Sequence, residues 1–426
     1  MSRAVVLLTR DLRTRDHPAL AAATRDHDEV VPLFALDDRQ LRSANRVAFL
    51  LDSLSALRDA LDGALVVRRG EAAAAAASFR PDWVYVTADG SAFAQARELR
   101  LRTVARLRVS PGASVIEPGA LAPTGGDHYR VFTPYWRAWS AAERRPLAPE
   151  PVAIRLPPKV SPGELPALGD LLRQPRSPVL LPGGEPEGRR RLARFLRHGL
   201  RAYGDERDAL ELDGTSRLSP YLRFGCLSPL EVASRAEESG GDEFVRQLAW
   251  RDFYLQLLAA FPRLTTDDYR PRGREWRADD AALEAWKSGR TGIPIVDAGM
   301  RQLVNEGWMP NRVRMLAASL LVKNLGIHWR AGAAHFSSLL VDGDPASNAG
   351  NWQWVAGTGT DTRPNRVFNP IRQAHRFDPD GGYVRRHVHE LADLEAPDVH
   401  EPWRLGPLGL AELGYPPPVV ELGAPV

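Results

Sequence analysis

One segment combines carboxylates, amides, glycines and indoles where a helical core would carry aliphatic side chains. It has the sequence DGDPASNAGNWQW and covers residues 342–354. The carboxylates of Asp342 and Asp344 can accept hydrogen bonds from hydroxyls or pair with an arginine, and Asn348 offers both a donor and an acceptor. Trp352 lies among them. This pattern predicts that a polar, flat ligand binds here.

The tryptophans are concentrated in the same half of the chain. Eight of the 11 follow Ala249, and Trp276 and Trp329 precede the segment described above. Large rings also fill helical cores, so any one of these tryptophans could serve packing alone. Their mixture with polar side chains favours a ligand site.

A cluster of hydroxyls lies further upstream. Tyr203 and Arg207 precede the sequence GTSRLSP at 214–220, which forms a turn entering a predicted helix. Amides at a helix N-terminus attract anions, so this turn is a candidate phosphate site. The alternative is an ordinary N-cap cluster.

A third cluster joins an amide, an indole and a guanidinium. Gln247, Trp250 and Arg251 share one face of a predicted helix. Together they could read the edge of a base, stack on it and hold its phosphate; the alternative is a surface helix with one buried indole. The sequence WMPNRVRM at 308–315 likewise places polar groups where a helix begins.

Composition narrows the class of protein. A chain of 426 residues predicts two or three domains. The formal charge is +3, and only three of the 56 basic residues are lysines. Arginine suits phosphate contacts and stacking on bases, although such a bias is also typical of a GC-rich genome. A single cysteine, Cys226, and the absence of any apolar stretch of membrane-spanning length predict a cytoplasmic protein with no membrane partner.

Short apolar runs alternate with helical patterns in the first third of the chain. Predicted strands lie at 5–8, 30–36, 64–67 and 83–86, and predicted helices at 52–61, 72–77 and 92–107. This βαβ order predicts a doubly wound parallel sheet. The G-x-G-x-x-G fingerprint and the P-loop are both missing, which argues against a tightly held dinucleotide or nucleoside triphosphate in this part.

The rest of the chain predicts a connection and a helical domain. Eleven prolines fall between Pro146 and Pro186, which indicates a long surface connection. Helical spacing follows at 189–203, 229–238, 242–261, 295–306 and 313–325. We therefore predict an α/β domain at 1–127, a proline-rich connection at 128–188 and an all-helical domain at 189–426.

Together these motifs resemble those of the photolyase and cryptochrome family, most closely its bacterial class I, which repairs cyclobutane pyrimidine dimers. The resemblance extends from TRDLR at 9–13 to YPPP at 415–418, essentially the whole chain. It implies a helical domain that holds FAD in a bent conformation. It also implies light-driven repair by electron transfer from excited reduced FAD, with damaged DNA as the partner and the protein as a monomer. The net reaction is redox-neutral, so no metal site is expected.

The resemblance also assigns contacts to FAD. Residues similar to the family's phosphate and ribityl contacts are Tyr203, Thr215, Ser216, Arg217, Leu218 and Ser219, and those similar to its flavin-side segment are Asp342, Gly343 and Asp344. Arg314 matches the arginine that pairs with the first carboxylate, and Asn348 matches the residue facing flavin N5. Trp352, Trp329 and Trp276 match a chain of indoles along which an electron hops from the surface to the flavin.

On the DNA side, Trp250 resembles the platform on which the flipped dimer stacks. Enzymes that act on a base within a duplex, photolyases among them, move it out of the stack. The polar and phosphate contacts that surround this platform match Arg207, Gln247, Arg251, Asn311, Arg312, Arg366 and Gln373.

Two positions depart from the family pattern. Gln247 stands where dimer-specific photolyases have glutamate and where six-four photolyases and animal cryptochromes have glutamine. The amide can hydrogen-bond a thymine edge but cannot supply a proton. Asn311 and Arg312 stand where the six-four class carries histidine, so dimer repair remains the prediction; a shifted lesion preference, a cryptochrome-like photoreceptor and a flavin electron-transfer protein are the alternatives.

A second, antenna chromophore is the other open question. Ser91 replaces the glutamate that binds folate in folate-type relatives, whereas Asp89 aligns with an aspartate of deazaflavin-type relatives. Deazaflavin is therefore predicted over folate if an antenna is present.

Overall fold

A computed structural model describes residues 2–154, 156–360 and 362–421. Five parallel strands form the sheet of its amino-terminal part: β1 (Arg3–Leu8), β2 (Glu29–Leu36), β3 (Val66–Arg69), β4 (Trp83–Thr87) and β5 (Arg106–Ser110), in the spatial order β3-β2-β1-β4-β5. Alternate residues of β1 enter two different cores, Val6 and Leu8 on one face and Val5 and Leu7 on the other. Because both faces are buried, the strands are apolar runs, and the predicted doubly wound α/β domain is confirmed.

The edge strand β5 is not predicted from the apolar pattern of the sequence. The prediction continues a helix to Leu107, which is wrong, since that helix ends at Leu101 and a strand follows. The guanidinium groups of Arg106 and Arg108 lie 5.7 Å from the ring centroids of Trp83 and Tyr85 in β4. An edge strand pairs with only one neighbouring strand and needs no continuous apolar run. The arginines of β5 interrupt the apolar pattern from which a strand would be predicted.

Four helices complete the α/β part: α1 (Pro18–Asp26), α2 (Ala44–Ala60), α3 (Ala72–Ala77) and α4 (Ala92–Leu101). The prediction starts α2 too late, at Asp52. Asn45 interrupts the apolar pattern in its first turn, yet it is buried and donates to Ser177 Oγ at 2.9 Å while accepting from the Ser177 amide at 2.7 Å. Ser177, far away in the chain, thus satisfies the hydrogen bonds of the Asn45 amide. From the sequence alone, a polar side chain at this position is expected to be exposed.

The proline-rich connection is more than surface chain. It contains α5 (Phe132–Ala141) and the short α6 (Leu168–Leu171). Phe132, Tyr135 and Trp139 of α5 are buried, and Trp139 Nε1 donates to the carboxylate of Asp252 at 3.0 Å. This aromatic helix therefore packs onto the helical part, whereas the domain boundaries at 127 and 188 stay a prediction.

Helices dominate the remainder, as predicted. They are α7 (Glu185–His198), α8 (Tyr203–Glu206), α9 (Ser219–Arg223), α10 (Pro229–Glu238), α11 (Asp242–Ala260), α12 (Asp280–Lys287), α13 (Pro294–Glu306), α14 (Asn311–Ser319), α15 (Trp329–Leu339), α16 (Pro345–Ala356), α17 (Pro370–Phe377), α18 (Gly382–His387) and α19 (Gly406–Leu413). A π-helical turn, Leu320–Asn324, extends α14. Within the described ranges, no helix has the length and apolar character required to cross a lipid bilayer.

The loop after β1 docks against the helical part. The amide of Leu12 donates to the carbonyl of Phe224 at 3.2 Å, and Arg13 Nη1 donates to that of Gly225 at 3.1 Å. Gly225 has φ +66°, and a Cβ there would lie 1.9 Å from the carbonyl oxygen of Arg10. Only glycine allows so close an approach, so the two parts meet at a fixed register.

Candidate FAD and DNA site

A cavity of about 470 Å³ opens among the helices of the carboxyl-terminal part. Its size suits a cofactor or another small organic ligand. Most residues that the sequence assigns to FAD or DNA line it: Tyr203, Arg207, Thr215, Ser216, Arg217, Leu218, Ser219, Gln247, Trp250, Arg251, Asn311, Arg312, Arg314, Asp342 and Asp344. Folding thus gathers clusters that are more than 100 residues apart in the chain.

A smaller cavity of about 70 Å³ adjoins the first. Arg314, Asp342 and Asp344 line both, while Gly343, Asn348 and Trp352 line only the smaller one. Four of the predicted residues line neither: Trp276, Trp329, Arg366 and Gln373.

The hydroxyl cluster forms one wall of the large cavity. Thr215 Oγ1 is buried and has no hydrogen-bond partner among the residues that the structure describes. A buried hydroxyl without a partner is costly, so this atom fits a ligand acceptor such as a phosphate oxygen. The helix that begins at Ser219 has only five residues. The side-chain hydroxyls of this wall, rather than the amides of a helix N-terminus, are therefore the groups suited to bind FAD.

An ion pair joins Arg314 and Asp342, as the sequence predicts. Nη1 and Nη2 of Arg314 lie 3.1 and 2.9 Å from the two carboxylate oxygens. Ser219 Oγ donates to the same carboxylate at 2.6 Å, and Trp308 Nε1 donates to that hydroxyl at 3.4 Å. The bidentate pair fixes the plane of the carboxylate at the junction of the two cavities.

Asp344 is held by arginines from two parts of the chain. Its Oδ2 accepts a hydrogen bond from Arg10 Nη2, and its Oδ1 accepts the amide of Ser347 at 3.0 Å. Burial raises the pKa of Asp344, but the charges of Arg10, Arg223 and Arg251 outweigh burial and hold this pKa well below its usual range. Asp344 is therefore a carboxylate at neutral pH. The motif TRDLR includes Arg10, yet nothing within the sequence connects it with a carboxylate 334 residues away.

Asn348, in helix α16, lines the smaller cavity. Its Nδ2 donates to the carbonyl of Ala333 at 3.0 Å, which fixes the orientation of the amide. Helices α15 and α16 pack closely here, since a Cβ at Gly332 would lie 2.1 Å from the Trp352 ring. A neutral, oriented amide therefore stands next to the indole.

The three predicted electron-transfer indoles are arranged from the cavity outward. Trp352 packs on Gly332, which follows Trp329 by three residues in α15. Trp329 is fully buried and donates to Asp268 at 2.8 Å. His328 bridges the last step, since its ring centroid lies 5.8 Å from that of Trp329 and 4.8 Å from that of the partly exposed Trp276. Closely spaced rings thus lead from Trp329 to the partly exposed Trp276, and Trp352 packs against the helix that begins at Trp329.

Trp250 has one covered face and one face on the large cavity. The ring of Phe132 stacks on it with a centroid distance of 3.6 Å and an interplanar angle of 7°. Gln247 lies one turn earlier in α11, where its Nε2 makes a long bond of 3.4 Å to the carbonyl of Glu243. Sequence reasoning missed Phe132, whose only signal is the density of aromatics in a stretch otherwise taken as a connection.

The predicted phosphate contacts divide into two groups. Arg312 pairs with Asp208 at 2.5 Å and Arg207 with Glu243 at 3.5 Å, both beside the cavity. In contrast, Arg251 donates to the carbonyls of Ala113 and Leu222 at 2.8 and 3.3 Å. These bonds hold Arg251 in the wall of the cavity, and its phosphate contact stays a prediction.

The two outer contacts have different positions. Arg366 lies 5.2 Å over the ring of Trp354, which lines the large cavity, and so stands near its rim. Gln373 is partly exposed in α17.

A separate void of about 20 Å³ lies at the carboxyl ends of β1 and β2. As packed it has room for about one water molecule. Arg97 lines it, and its buried Nε and Nη2 have no hydrogen-bond partner in the described part of the chain. Asp89 does not line this void, because its carboxylate faces Arg10 at 3.8 Å, and Ser91 caps α4. The aspartate on which the deazaflavin prediction rests therefore faces Arg10, and the identity of any antenna stays a prediction.

Comparison with known proteins agrees with this geometry. A family model described as the FAD binding domain of DNA photolyase matches residues 244–425, and one described as DNA photolyase matches residues 4–153. The deoxyribodipyrimidine photo-lyase of Streptomyces griseus is 50% identical, with 99% of this chain and 97% of that protein covered.

Solved structures have the same fold over nearly the full length. A bacterial class III photolyase from Agrobacterium tumefaciens has a TM-score of 0.90 at 35% identity, covering 99% of this chain and 95% of that chain. An archaeal photolyase from Sulfolobus tokodaii, described with two FAD molecules and the implication of a novel light-harvesting cofactor, has a TM-score of 0.86 at 34% identity, covering 99% of this chain and 96% of that chain.

Proposed function

Because the chain belongs to the photolyase and cryptochrome family, we propose that it is a deoxyribodipyrimidine photo-lyase that repairs cyclobutane pyrimidine dimers in DNA with light absorbed by FAD. The observation that carries this proposal is the shared cavity. The hydroxyl cluster, Asp342 and Asp344, which are expected to hold FAD, line the same cavity as Gln247 and Trp250. A cofactor and a flipped lesion bound there would be neighbours.

The residues that line the two cavities have different chemical roles in this reaction. Bound FAD, in its reduced form and excited by light, supplies the electron that opens the cyclobutane ring. Thr215 Oγ1 supplies a hydrogen bond to the cofactor, and the Arg314–Asp342 pair fixes charge beside the ring system. The oriented amide of Asn348 adds no charge, and Trp250 stacks on the extruded dimer.

Repair of a dimer-containing oligonucleotide under blue light tests the assignment. Restored bases are expected with pre-reduced protein and no restoration in the dark. A cryptochrome-like photoreceptor would bind FAD and respond to light without restoring the bases. A flavin electron-transfer protein would, in addition, show no preference for damaged DNA.

Gln247→Glu is expected to bind the dimer within about tenfold of the wild type, a difference of about 1.4 kcal/mol, and to raise the repair yield per photon. The physical reason is that a carboxyl group can protonate or polarise the accepting carbonyl of thymine, which an amide cannot do. Flash-induced repair yield and dimer affinity are the measurements. Gln247→Leu is the control and should weaken dimer binding. If the wild type repairs dimers with full yield per photon and Gln247→Glu repairs them with a lower yield, this role is contradicted.

Arg312→Ala is expected to reduce the salt dependence of DNA binding by about one unit of the log–log slope, because one phosphate contact is lost. In the free protein Arg312 pairs with Asp208, and DNA would have to displace this partner. Binding of damaged and undamaged duplexes is measured over a range of salt concentrations. Arg190→Ala is the matched control, since Arg190 is exposed, pairs with Glu187 and lines neither cavity. Equal slopes in the wild type and Arg312→Ala would remove the phosphate role.

Several finer assignments accompany this function. We propose class I membership, a monomer acting in the cytoplasm, and the domain boundaries given by the sequence. We also propose that any second chromophore is a deazaflavin. Chromatography of the chromophores extracted from the purified protein tests the last point, and recovery of folate contradicts it.

A further inference from the structure

The sheet reverses its strand order between β1 and β4. In doubly wound sheets, ligands bind in the crevice at the carboxyl ends of the strands where the order reverses. Here Arg10 follows β1 and Asp89 follows β4, and they face each other at 3.8 Å. Next to Asp89, a Cβ at Gly90 would lie 2.7 Å from Cβ of Ala259 in α11. This crevice is therefore closed by the helical part.

The arginine of this crevice reaches into the FAD site. Arg10 Nη2 bonds to Asp344, and its Nε donates to the carbonyl of Arg223 at 3.4 Å. The side chains of Arg10 and Asp344 are only 16% and 9% exposed, so water screens the pair weakly. Asp344 lines both cavities of the cofactor site.

Positive charge is crowded around this carboxylate. Burial, and after it the charge of Arg10, lower the pKa of Arg223 to about 9. Arg251, also buried, adds a third guanidinium near Asp344. The position of Asp344 thus depends on a balance in which Arg10 supplies the direct side-chain hydrogen bond. Removing one partner of a buried pair leaves the other charge uncompensated.

We propose that Arg10 is a positioning residue for the FAD site, through which cofactor binding is coupled to docking of the α/β domain. Arg10 holds one oxygen of Asp344 from the α/β side, while the amide of Ser347 holds the other from α16. FAD that contacts Asp344 then tightens the contact between the two parts. Coupling is reciprocal, so docking tightens FAD binding by the same factor. This inference rests on the FAD site described above and not on DNA repair.

The test is a titration of full-length apoprotein with FAD. Arg10→Gln is expected to weaken FAD binding about tenfold, and Arg10→Lys, which keeps the charge, to recover part of the loss. Arg3→Gln is the matched control, because Arg3 pairs with Glu29 at 2.8 Å at the opposite end of the same strand. A double-mutant cycle with Asp344→Asn should show that the two changes are not additive.

Hydrogen exchange reports docking directly. The amide of Leu12 donates to Phe224 across the contact between the two parts, so its exchange should slow when FAD binds to the wild type and respond less in Arg10→Gln. The proposal is overturned if Arg10→Gln leaves the FAD affinity unchanged, if Arg3→Gln weakens it equally, or if the cycle is additive. An unchanged affinity in Asp344→Asn overturns it as well, while repair of dimers by the wild type would still stand.

Discussion

Trp352→Phe and Trp329→Phe are each expected to slow photoreduction of oxidised FAD by an external reductant by at least about 100-fold. Phenylalanine is much harder to oxidise than indole, and a barrier higher by only about 2.7 kcal/mol already slows a step by that factor. Both rings are buried along the path from the small cavity to Trp276. Absorbance of FAD under blue light with a thiol reductant is the measurement.

The same two variants should retain repair when the cofactor is reduced beforehand. The path of rings feeds the cofactor from the surface and does not lead to the DNA-side rim with Gln247 and Trp250. Trp83→Phe is the control, since Trp83 lies in β4 of the α/β part, and it should change neither rate. Wild-type photoreduction in both Trp352→Phe and Trp329→Phe would exclude the path.

Trp250→Ala is expected to weaken binding of dimer-containing DNA by about tenfold to 100-fold, because stacking on an aromatic side chain contributes about 1–3 kcal/mol per base. Binding of undamaged duplex should change little, since no base is extruded there. Competition binding with damaged and undamaged duplexes measures the ratio. A ratio equal to that of the wild type would remove the platform role.

Phe132→Leu extends this prediction to the residue behind the platform. Phe132 stacks on the covered face of Trp250 at 3.6 Å, so losing the ring should let the indole tilt and weaken dimer binding by up to about tenfold, part of the stacking energy. Phe132→Tyr should restore affinity. Phe79→Leu, at a buried phenylalanine in the α/β core, is the control for a general loss of packing.

The sequence by itself determined which side chains could do chemistry. Carboxylates, amides and indoles within residues 342–354, and the amide and indole of Gln247 and Trp250, have no common explanation as core packing. Their types and local spacing indicate which of them share a helix face, because residues three or four apart are neighbours on a helix. The ion pair of Arg314 with Asp342 followed from resemblance, and the structure shows it.

Local pattern also determined most elements. The apolar runs of β1 to β4 predict buried parallel strands because both sheet faces are covered. The helix Pro229–Glu238 has the predicted bounds, with Ser228 accepting from the Glu231 amide at its start. By contrast, β5 carries exposed arginines that lie over Trp83 and Tyr85 of β4, partners that the local sequence does not show.

Only the tertiary structure decided which distant groups act together. Arg10 meets Asp344, Phe132 meets Trp250, and the partly buried Arg251 donates to the carbonyl of Ala113. Each of these contacts joins residues more than 110 positions apart in the chain. Periodicity reports the environment of a residue within its own helix or strand, whereas burial, charge pairing and stacking across the fold are properties of the packed chain.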